Sequence, residues 1–534
     1  MRRVVIVGGG SAGWMTAAYL NGALNDKGQK KNVEITLVES PNIPRITVGE
    51  ATIPSINHVL GVIGLDETSF MKATDATFKQ SIKYVNWYKN NGSFYHHPFS
   101  RARQGPIDFS GRDWMMSQRD IPFMETVSAQ PILCEMGLSP KMLGPWTMGP
   151  PLKYAFHMNA QKFADYLCDF STQRGVRHIL SDMTKTNVEN GLIKSINLAN
   201  DQVIEGDIFI DCTGFKALLI DKALGVPYDD YGQFLLCNQA LVASFDYKDY
   251  FPGHVRPYTT ATALSSGWIW DIPMQNRRSV GYVHSSDFIT EKEAEVELIA
   301  YQNPELKNIE TRLIKFKSGQ RRKAWAGNCI AIGLSGGFIE PLESTGLYLC
   351  DLAAVMLAEH FPYRDEDLKP LAFRFNRIIS NRYYEVLDFI NMHYCMSRRT
   401  DTDFWIEVQK PERITDRLKA KLNYWKIKAP SMADFDDQAF KGVSYNTPTD
   451  LDIDPRPPVD TAGLWNHESY EAILFGMGWR EGEFKDDLPK SNVFPFVIER
   501  LQQAPKKLPP HHIWLHHALG MPQWAGQKVP AGWV

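Results

Sequence analysis

The sequence predicts an α/β protein in which a Rossmann-like domain is interleaved with an antiparallel sheet and is followed by a mainly helical region. Residues 4–20, VVIVGGGSAGWMTAAYL, have the order of a strand, a glycine turn and a helix. Alternating and aromatic runs near 80–125 and 235–285 are typical of antiparallel strands. From about residue 366 the apolar spacing becomes helical. Together these observations predict the fold class.

The first unit of the chain is a predicted β-α-β motif. Residues 4–7 are consecutive β-branched residues, which is typical of a strand buried on both faces. Residues 11–24 are rich in Ala, Met and Leu at helical spacing, and residues 33–40 form a second apolar strand. The three elements fit the length of about 30 residues that such a motif needs.

Later segments complete the same layer. VIEGDIFIDCTGF (203–215) alternates and ends in a turn, and NCIAIGLSGGFIEP (328–341) is a buried strand before a glycine-rich turn. A strongly apolar helix follows over residues 344–361. We therefore expect residues 1–365 to form the nucleotide-binding domain, with β-rich substrate and tunnel segments inserted. Residues 366–534 are expected to form a mainly helical region that covers the substrate.

The glycine loop indicates a dinucleotide. Gly8, Gly10 and Gly13 let the backbone turn tightly and approach a pyrophosphate, which the N–H groups at the start of the next helix bind. Glu39 ends the second strand, where an acid accepts a ribose hydroxyl. NAD and FAD both satisfy this pattern, but the returning segments favour FAD, whose extended form needs contacts from several parts of a chain. The prediction is a FAD-binding domain of the Rossmann-like, hydroxylase type.

The composition excludes several classes of function. The formal net charge of -3 gives no support for a basic face that would bind nucleic acid. No apolar run reaches the ~20 residues that cross a bilayer, and the first residues form a strand rather than a signal peptide. We therefore expect a cytoplasmic protein without a membrane or nucleic-acid partner.

The cysteines and histidines do not indicate a metal site. The seven cysteines are dispersed and include no CxxC pair, as expected of reduced, mostly buried thiols. Histidines cluster in the tail segment PPHHIWLHH, where proline and tryptophan neighbours favour a packed surface loop. The four histidines of this cluster are His511, His512, His516 and His517. We expect no metal ion.

Four motifs point to a known family. They are GEATIP (49–54), FKQSIKYVNW (78–87), GWIWDIP (267–273) and FIEPLESTG (338–346). Together with the opening GGGSAGWMTAAYL, they resemble the flavin-dependent halogenases of the tryptophan-halogenase type. The resemblance extends from the first strand to about Trp405, which is most of the chain.

This resemblance implies a reaction and a set of residues. FADH2, oxygen and chloride or bromide generate hypohalous acid, which an internal tunnel leads to Lys79, with Glu343 beside it. Thr345 and Gly346 match the family's halide-binding residues. Trp268 and Trp270 match the residues that shield the flavin. The positions that match flavin contacts are Gly8, Gly10, Ser11, Ala12, Gly13, Glu39, Gly49, Ala51, Leu334 and Leu347.

The residue types suit this chemistry. The ammonium of Lys79 can hydrogen-bond hypohalous acid, or its amine can carry the halogen as a haloamine, and both routes stay open. Glu343 can remove the ring proton as a general base, or it can orient the hypohalous acid. Backbone N–H groups of a Ser-Thr-Gly turn before a helix can bind a halide ion.

The same resemblance implies two aromatic walls around the substrate. YHHPFS supplies one wall, His97 and Phe99, and RTDTDFW supplies the opposite wall, Phe404 and Trp405. Stacking between aromatic faces holds an electron-rich ring and aims one carbon at Lys79.

The amino-acid end of the predicted pocket departs from the family pattern. Of the tyrosine pair that clamps free tryptophan only Tyr394 remains, and Thr400 stands where the family has a glutamate. Losing a buried hydrogen-bonding partner costs about 1–3 kcal/mol, so free tryptophan is expected to bind poorly. An indole-type or other electron-rich aromatic is predicted instead.

Two alternatives to a halogenase stay open. A FAD-dependent aromatic hydroxylase shares the fold, although such enzymes usually have Asp after the glycine of the late flavin strand, where this chain has Leu334. The other alternative is a flavin-binding protein without halogenating activity. Because no nicotinamide site is evident, we expect a separate NAD(P)H-dependent flavin reductase to supply FADH2. The family resemblance also suggests a homodimer.

Overall fold

The computed structural model describes residues 1–45, 48–103, 108–116, 121–144, 152–247, 255–302, 309–435, 463–479 and 493–521. Its strands are β1 (Arg2–Val7), β2 (Val33–Glu39), β3 (Gly49–Ala51), β4 (Thr77–Lys79), β5 (Ser81–Val85), β6 (Phe94–Pro98), β7 (Ala155–Asn159), β8 (Arg177–Leu180), β9 (Met183–Glu189), β10 (Leu192–Leu198), β11 (Val203–Glu205), β12 (Ile208–Asp211), β13 (Tyr228–Asp230), β14 (Gln239–Asp246), β15 (Thr259–Ala263), β16 (Gly267–Pro273), β17 (Arg277–His284), β18 (Arg312–Lys315), β19 (Gly319–Arg321), β20 (Trp325–Ala326), β21 (Cys329–Ala331) and β22 (Gly337–Phe338).

The α-helices among the described residues are α1 (Ser11–Leu24), α2 (Ile56–Ile63), α3 (Glu67–Thr74), α4 (Ser110–Met116), α5 (Phe123–Val127), α6 (Gln130–Glu135), α7 (Ala160–Thr172), α8 (Glu291–Gln302), α9 (Gly346–Glu359), α10 (Leu368–Cys395), α11 (Asp403–Glu407), α12 (Asp416–Trp425), α13 (His467–Gly476), α14 (Phe494–Gln503) and α15 (His511–Leu519). None of these described helices combines the length and the apolar character that crossing a membrane requires.

A six-stranded sheet forms the Rossmann-like layer, in the order β20-β21-β12-β1-β2-β8. β1 pairs in parallel with both β2 and β12, and the edge strand β20 pairs antiparallel with β21. Alternate residues of β1 pack into two different hydrophobic clusters. Val4 and Ile6 belong to the cluster that contains Trp14, whereas Val5 and Val7 belong to a second cluster on the other face of the sheet. This double burial explains the run of β-branched residues, and it confirms the predicted α/β class.

A second, seven-stranded sheet has the order β18-β14-β17-β16-β15-β5-β6. Its pairs are antiparallel except for β15 and β5. The interval 235–285 holds β14 to β17, as its alternation predicts. The interval 80–125 holds β5 and β6 but then becomes helical in α4 and α5. In α4 the buried Gly111 and Met115 are four residues apart, which is a helical spacing.

The C-terminal part is helical where it is described, and it folds back over strand β4. His511, in the tail histidine cluster, accepts a hydrogen bond from the Phe78 N–H at 3.2 Å, and its Nδ1 lies 3.0 Å from the Val255 carbonyl oxygen. The Phe78 ring also contacts Trp514. This histidine therefore packs helix α15 against the strand that ends in Lys79.

Candidate active site

A cavity of about 760 Å³ lies along the carboxyl ends of β1 and β2 and continues to the strand β16. This position is where open α/β sheets bind their ligands, and the volume is within the usual range for cofactor sites. The predicted flavin and shielding residues that line it are Gly8, Gly10, Ser11, Ala12, Glu39, Gly49, Ala51, Trp268, Trp270, Leu334 and Leu347. Of the predicted flavin contacts, Gly13 does not line the cavity.

The glycine loop has the geometry of a phosphate cradle. Gly8 has φ +114°, and a Cβ there would stand 2.1 Å from the carbonyl oxygen of Cys212. Gly13 lies directly behind the loop, since its Cβ would stand 1.9 Å from the Gly8 carbonyl oxygen. Helix α1 begins after Gly10 without a side-chain cap or an acidic residue in its first turn. Its first N–H groups therefore fit the pyrophosphate of a flavin dinucleotide.

Glu39 closes one end of the cavity as an ion-paired carboxylate. Arg45 donates to both of its oxygens, at 2.8 and 2.9 Å, and His178 Nε2 lies 2.8 Å from Oε1. A Cβ on Gly9 would stand 1.7 Å from Glu39 Oε2, so the loop needs a residue without a side chain there. The acid thus sits against the glycine loop, at the position where a ribose is expected.

Lys79 is fully buried at the end of β4. Its Nζ donates to the Thr52 carbonyl oxygen at 3.0 Å and to Ser344 Oγ at 2.8 Å, and it lies 5.4 Å from the centre of the Phe99 ring. Burial lowers the pKa of Lys79 to about 7, although the carboxylates of Glu343 and Glu50 oppose that shift. The amine and ammonium forms are therefore both accessible near neutral pH.

Glu343 is held by residues from three other parts of the chain. Tyr84 on β5 donates to Oε1, His97 Nδ1 lies 3.1 Å from Oε2, and His393 Nε2 on α10 lies 3.0 Å from Oε1. Burial alone raises the pKa of this carboxyl, but the two histidines outweigh it and hold the pKa well below its ordinary value. Glu343 is therefore ionised throughout the physiological range.

Ser344 separates the lysine and the glutamate. It lines the cavity, bonds Lys79, and has φ +58°, a left-handed conformation that costs a residue other than glycine about 1–3 kcal/mol. The sharp turn directs Glu343 toward the histidines and starts helix α9 on the cavity side. Among the described contacts, no ion pair within 4.0 Å joins Lys79 to Glu343.

The predicted halide residues lie at the start of helix α9. Thr345 is fully buried and its Oγ1 has no hydrogen-bond partner in the part of the chain that the structure describes, while Gly346 lines the cavity. The first turn of the helix contains no acidic residue, and Thr345 provides no side-chain cap. A small anion fits this place because free N–H groups and the helix dipole favour negative charge.

Trp268 and Trp270 lie on one face of β16, as their spacing predicts, and both line the cavity. Trp268 Nε1 donates to Glu340 Oε1 at 3.1 Å. Tyr394 donates to the same oxygen of Glu340 and lies 3.5 Å from the sulfur of Cys237. Tyr394, a predicted substrate contact, is therefore part of a buried hydrogen-bond network with Glu340 and Cys237.

The two predicted substrate walls lie in different surroundings. His97 lies beside Glu343, and Phe99 lies beside Lys79. Trp405 is fully buried, donates from Nε1 to the Leu264 carbonyl oxygen at 2.7 Å and packs edge-on against Trp87. Phe404 is buried against Phe288 and Tyr394. The role of Phe404 and Trp405 as the opposite wall stays a prediction.

Thr400 is exposed in the loop that precedes α11. The predicted lack of an amino-acid clamp at this position, and the weak tryptophan binding expected from it, stay predictions. A further aromatic pair lies beside His97. Trp465 stacks on Phe389 at 4.0 Å, and the Phe389 ring lies 5.9 Å from that of His97.

Sequence reasoning missed Tyr84, His393, Phe389 and Trp465. Phe389 and His393 are four residues apart on α10, so a helical reading of this segment places both on one face. Tyr84 follows Lys79 inside the motif already recognised. Trp465 offers no comparable signal, because only the fold brings it to Phe389.

Comparisons with known proteins agree with this geometry. The tryptophan halogenase family profile matches residues 3–488. The tryptophan 6-halogenase of Streptomyces albogriseolus is 34% identical over 498 residues, which covers 90% of each chain. The tryptophan 7-halogenase of Lentzea aerocolonigenes is 34% identical over 499 residues, covering 89% of each chain.

Solved structures extend the likeness to the fold. The tryptophan halogenase from Shewanella frigidimarina NCIMB 400 superposes with a TM-score of 0.86 at 32% identity, covering 97% of this chain and 98% of that one. A flavin-dependent halogenase from Brevundimonas sp. BAL3 gives a TM-score of 0.79 at 31% identity, covering 97% and 99%. These matches imply a flavin cofactor and a halide co-substrate. The chain is a halogenase and belongs to the tryptophan halogenase family of flavin-dependent enzymes.

Proposed function

We propose that this halogenase uses FADH2, oxygen and chloride or bromide to halogenate an electron-rich aromatic with an indole-type ring. One observation carries the proposal: Lys79 is fully buried and bonded to Ser344, which itself lines the cavity that fits a flavin. A FAD-dependent hydroxylase would not need a buried lysine and an ionised glutamate next to the residue that lines the flavin cavity.

Ser344 lines the flavin cavity and bonds Lys79, so the proposed substrate chamber lies on the Lys79 side of this residue. The glycine loop of residues 8–13 would hold the pyrophosphate, and Trp268 and Trp270 would keep the organic substrate away from the ring system. When bound, the reduced flavin supplies with oxygen the oxidising power that turns halide into hypohalous acid. Because Lys79 is not exposed to solvent, an electrophile delivered there is protected from water.

Lys79 positions the electrophile. Its ammonium donates hydrogen bonds, and with a pKa of about 7 the neutral amine is present as well, so Nζ can polarise hypohalous acid or accept the halogen. Phe99, whose ring centre lies 5.4 Å from Nζ, places an aromatic face beside the reacting position.

Glu343 stabilises positive charge that develops on the aromatic ring. A carboxylate whose pKa lies far below neutrality is a weak base, but it is a permanent negative charge in a dry site. The ring carbon that carries both hydrogen and halogen is strongly acidic, so Glu343 can still accept its proton and restore the aromatic ring. His97 and His393, which contact the carboxylate oxygens, keep Glu343 ionised before this step.

The substrate class follows from the chamber walls. His97, Phe99, Phe389 and Trp465 offer aromatic surfaces around Glu343, and an electron-rich ring stacks on such surfaces with a gain of about 0.5–1.5 kcal/mol per contact. Tryptophan is the substrate named for the curated relatives described above. For this chain we propose the indole ring as the recognised group.

Three further features belong to the same proposal. A separate NAD(P)H-dependent reductase supplies FADH2, since the dinucleotide cavity is already assigned to the flavin. The enzyme acts in the cytoplasm, and it forms a homodimer, as the family resemblance suggests. Omitting the reductase from an assay, and measuring the mass of the enzyme in solution, test the first and last of these.

The deciding experiment is mass spectrometry of indole and L-tryptophan incubated with enzyme, FAD, reductase, NADH, oxygen and either halide. We expect a halogen mass shift with the wild type, none above the free-hypohalite background with Lys79→Ala, and an undiminished shift with Lys194→Ala, whose lysine is exposed on β10. Hydroxylated product, or halogenation that survives in Lys79→Ala, contradicts the proposal.

A further inference from the structure

Glu50 presents a carboxylate to the start of helix α9. It lies on β3 and lines the cavity, and its Oε1 stands 3.8 Å from the position that a Cβ on Gly346 would occupy. Among the described residues its side chain has no hydrogen bond or salt bridge, although it interacts electrostatically with Lys79. Its carboxyl group is therefore available to a ligand in the cavity.

A second observation concerns the residue next to Gly346 in the same turn. The hydroxyl of Thr345 is fully buried and has no hydrogen-bond partner among the described residues. A buried hydroxyl without a partner is uncommon, because it loses its interactions with water and gains none. Thr345 Oγ1, the first N–H groups of α9 and Glu50 together suit a small anion that brings its own negative charge.

An ionised Glu50 conflicts with such an anion. Two negative charges at one helix start repel each other strongly where water is excluded, and the carboxylate competes for the same N–H groups. A protonated Glu50 does the opposite, since its O–H donates a hydrogen bond to the anion. The protonation state of this one side chain thus decides whether the start of α9 accepts halide.

We propose that Glu50 is a halide-binding residue that couples binding to proton uptake: as the acid it donates to bound chloride or bromide, and as the carboxylate it excludes them. This inference rests on the proposed function, because that function identifies the anion as a halide. With Glu50 in the site, the protein takes up a proton when halide binds at high pH. A site built from backbone N–H groups alone does not require this proton.

The surroundings of Glu50 fit a titration near neutral pH. Burial raises its pKa to about 7, and the ammonium of Lys79 on β4 opposes that rise. The other titratable groups around this pair are Glu343 before α9, Cys350 on α9 and His157 on β7. Lys79 also titrates near pH 7, so a test must separate its effect from that of Glu50.

The test is halide affinity as a function of pH, measured on holoenzyme loaded with oxidised FAD and without substrate. Bromide or chloride is titrated, and the dissociation constant is read from the change in flavin absorbance between about pH 6 and about pH 8.5. The wild type should bind halide at least tenfold more weakly at the upper pH. Glu50→Gln, which keeps a donor but cannot ionise, should show a smaller pH dependence, because Lys79 still titrates near pH 7. Glu50→Gln combined with Lys79→Met should show one constant affinity.

Two further variants isolate the effect of Glu50. Lys79→Met should keep a pH-dependent affinity, since Glu50 still titrates there. Asp351→Asn removes another buried carboxyl on α9, whose pKa is also raised by burial to about 7, and should behave like the wild type. Glu50→Asp provides a second variant if Glu50→Gln does not retain FAD, and it should keep the pH dependence with weaker binding.

The results separate this inference from the proposed function. A wild-type affinity that is constant with pH, or a pH dependence that persists when Glu50→Gln is combined with Lys79→Met, overturns the role of Glu50 even if the wild type forms halogenated product. Failure of the wild type to bind halide at every pH overturns the halide site itself. Proton uptake on bromide binding near neutral pH, present in Lys79→Met and absent when Glu50→Gln is added, confirms the coupling.

Discussion

Lys79 and Glu343 show how environment, rather than residue type, sets the chemistry of a side chain. Both are fully or almost fully buried, yet burial moves the pKa of Lys79 to about 7 while the histidines around Glu343 hold that carboxyl ionised. The lysine is therefore the group of this pair that changes charge near neutral pH, and the glutamate is the constant charge.

The buried lysine makes stability depend on pH. Between about pH 7 and its ordinary pKa of about 10.4, Lys79 is protonated in the unfolded chain but neutral in the folded one. Because the unfolded state then binds more protons, this residue makes the free energy of unfolding rise with pH, by at most about 1.4 kcal/mol per unit. Urea unfolding above neutral pH should show this rise in the wild type and a flatter dependence in Lys79→Met. The exposed Lys194→Met serves as control and should keep the wild-type pH dependence. If the free energy of unfolding changes equally with pH in the wild type and in Lys79→Met, the prediction is wrong.

The charge of Glu343 is predicted to matter more than its shape. Glu343→Gln keeps the volume and an acceptor for Tyr84 but removes the negative charge. We expect the rate of halogenation to fall by about 10²–10⁴, the usual range for a positioned acid or base, while FAD binding stays unchanged. The time course of product formation per enzyme in a single turnover measures this rate. A variant with the wild-type rate would show that the charge has no part in the reaction.

Helix α10 organises the site at the scale of an element. Glu385, Phe389 and His393 are spaced by four residues and face one side. His393 contacts Glu343, Phe389 stacks on Trp465, and Glu385 binds the backbone that carries Trp465. One helix face thus links the carboxylate of Glu343 to a segment far along the chain.

The anchor at Glu385 can be tested directly. Its Oε1 accepts from the N–H groups of Gly463, Leu464 and Trp465, at 3.2, 3.0 and 2.9 Å. Glu385→Ala leaves these donors without an acceptor, so we expect unfolding to become easier by about 2 kcal/mol or more. Urea unfolding measures the change, and hydrogen exchange should accelerate at residues 463–465. Glu366→Ala, at an exposed residue, serves as control. An equal loss of stability in this control would contradict the anchoring role of Glu385.

At the scale of the whole molecule, local patterns predicted the fold and much of the site. The β-branched strand, the glycine loop and the motifs around Lys79 and Glu343 are short segments whose chemistry does not depend on distant residues. The flavin residues could be placed for the same reason, since a loop between a strand and a helix has one main geometry.

The features that local patterns do not predict depend on tertiary packing. A pair such as Phe404 and Trp405 can form a stacking wall or fill a core, and the sequence pattern is the same in both cases. The partners of Glu343 come from β5, β6 and α10, which no local spacing connects. The segment of α4 and α5 was expected to be β-rich because its aromatic content resembles that of strands.

The left-handed turn at Ser344 has a consequence for redesign of this enzyme. Glu343, Ser344 and Thr345 are consecutive, and in the proposed reaction they serve the substrate, Lys79 and the halide, respectively. An insertion or deletion here would move all three at once, so we expect it to change halide preference and ring position together. Library design for new substrates should therefore leave residues 341–346 intact and vary the wall formed by α10 and residues 463–479.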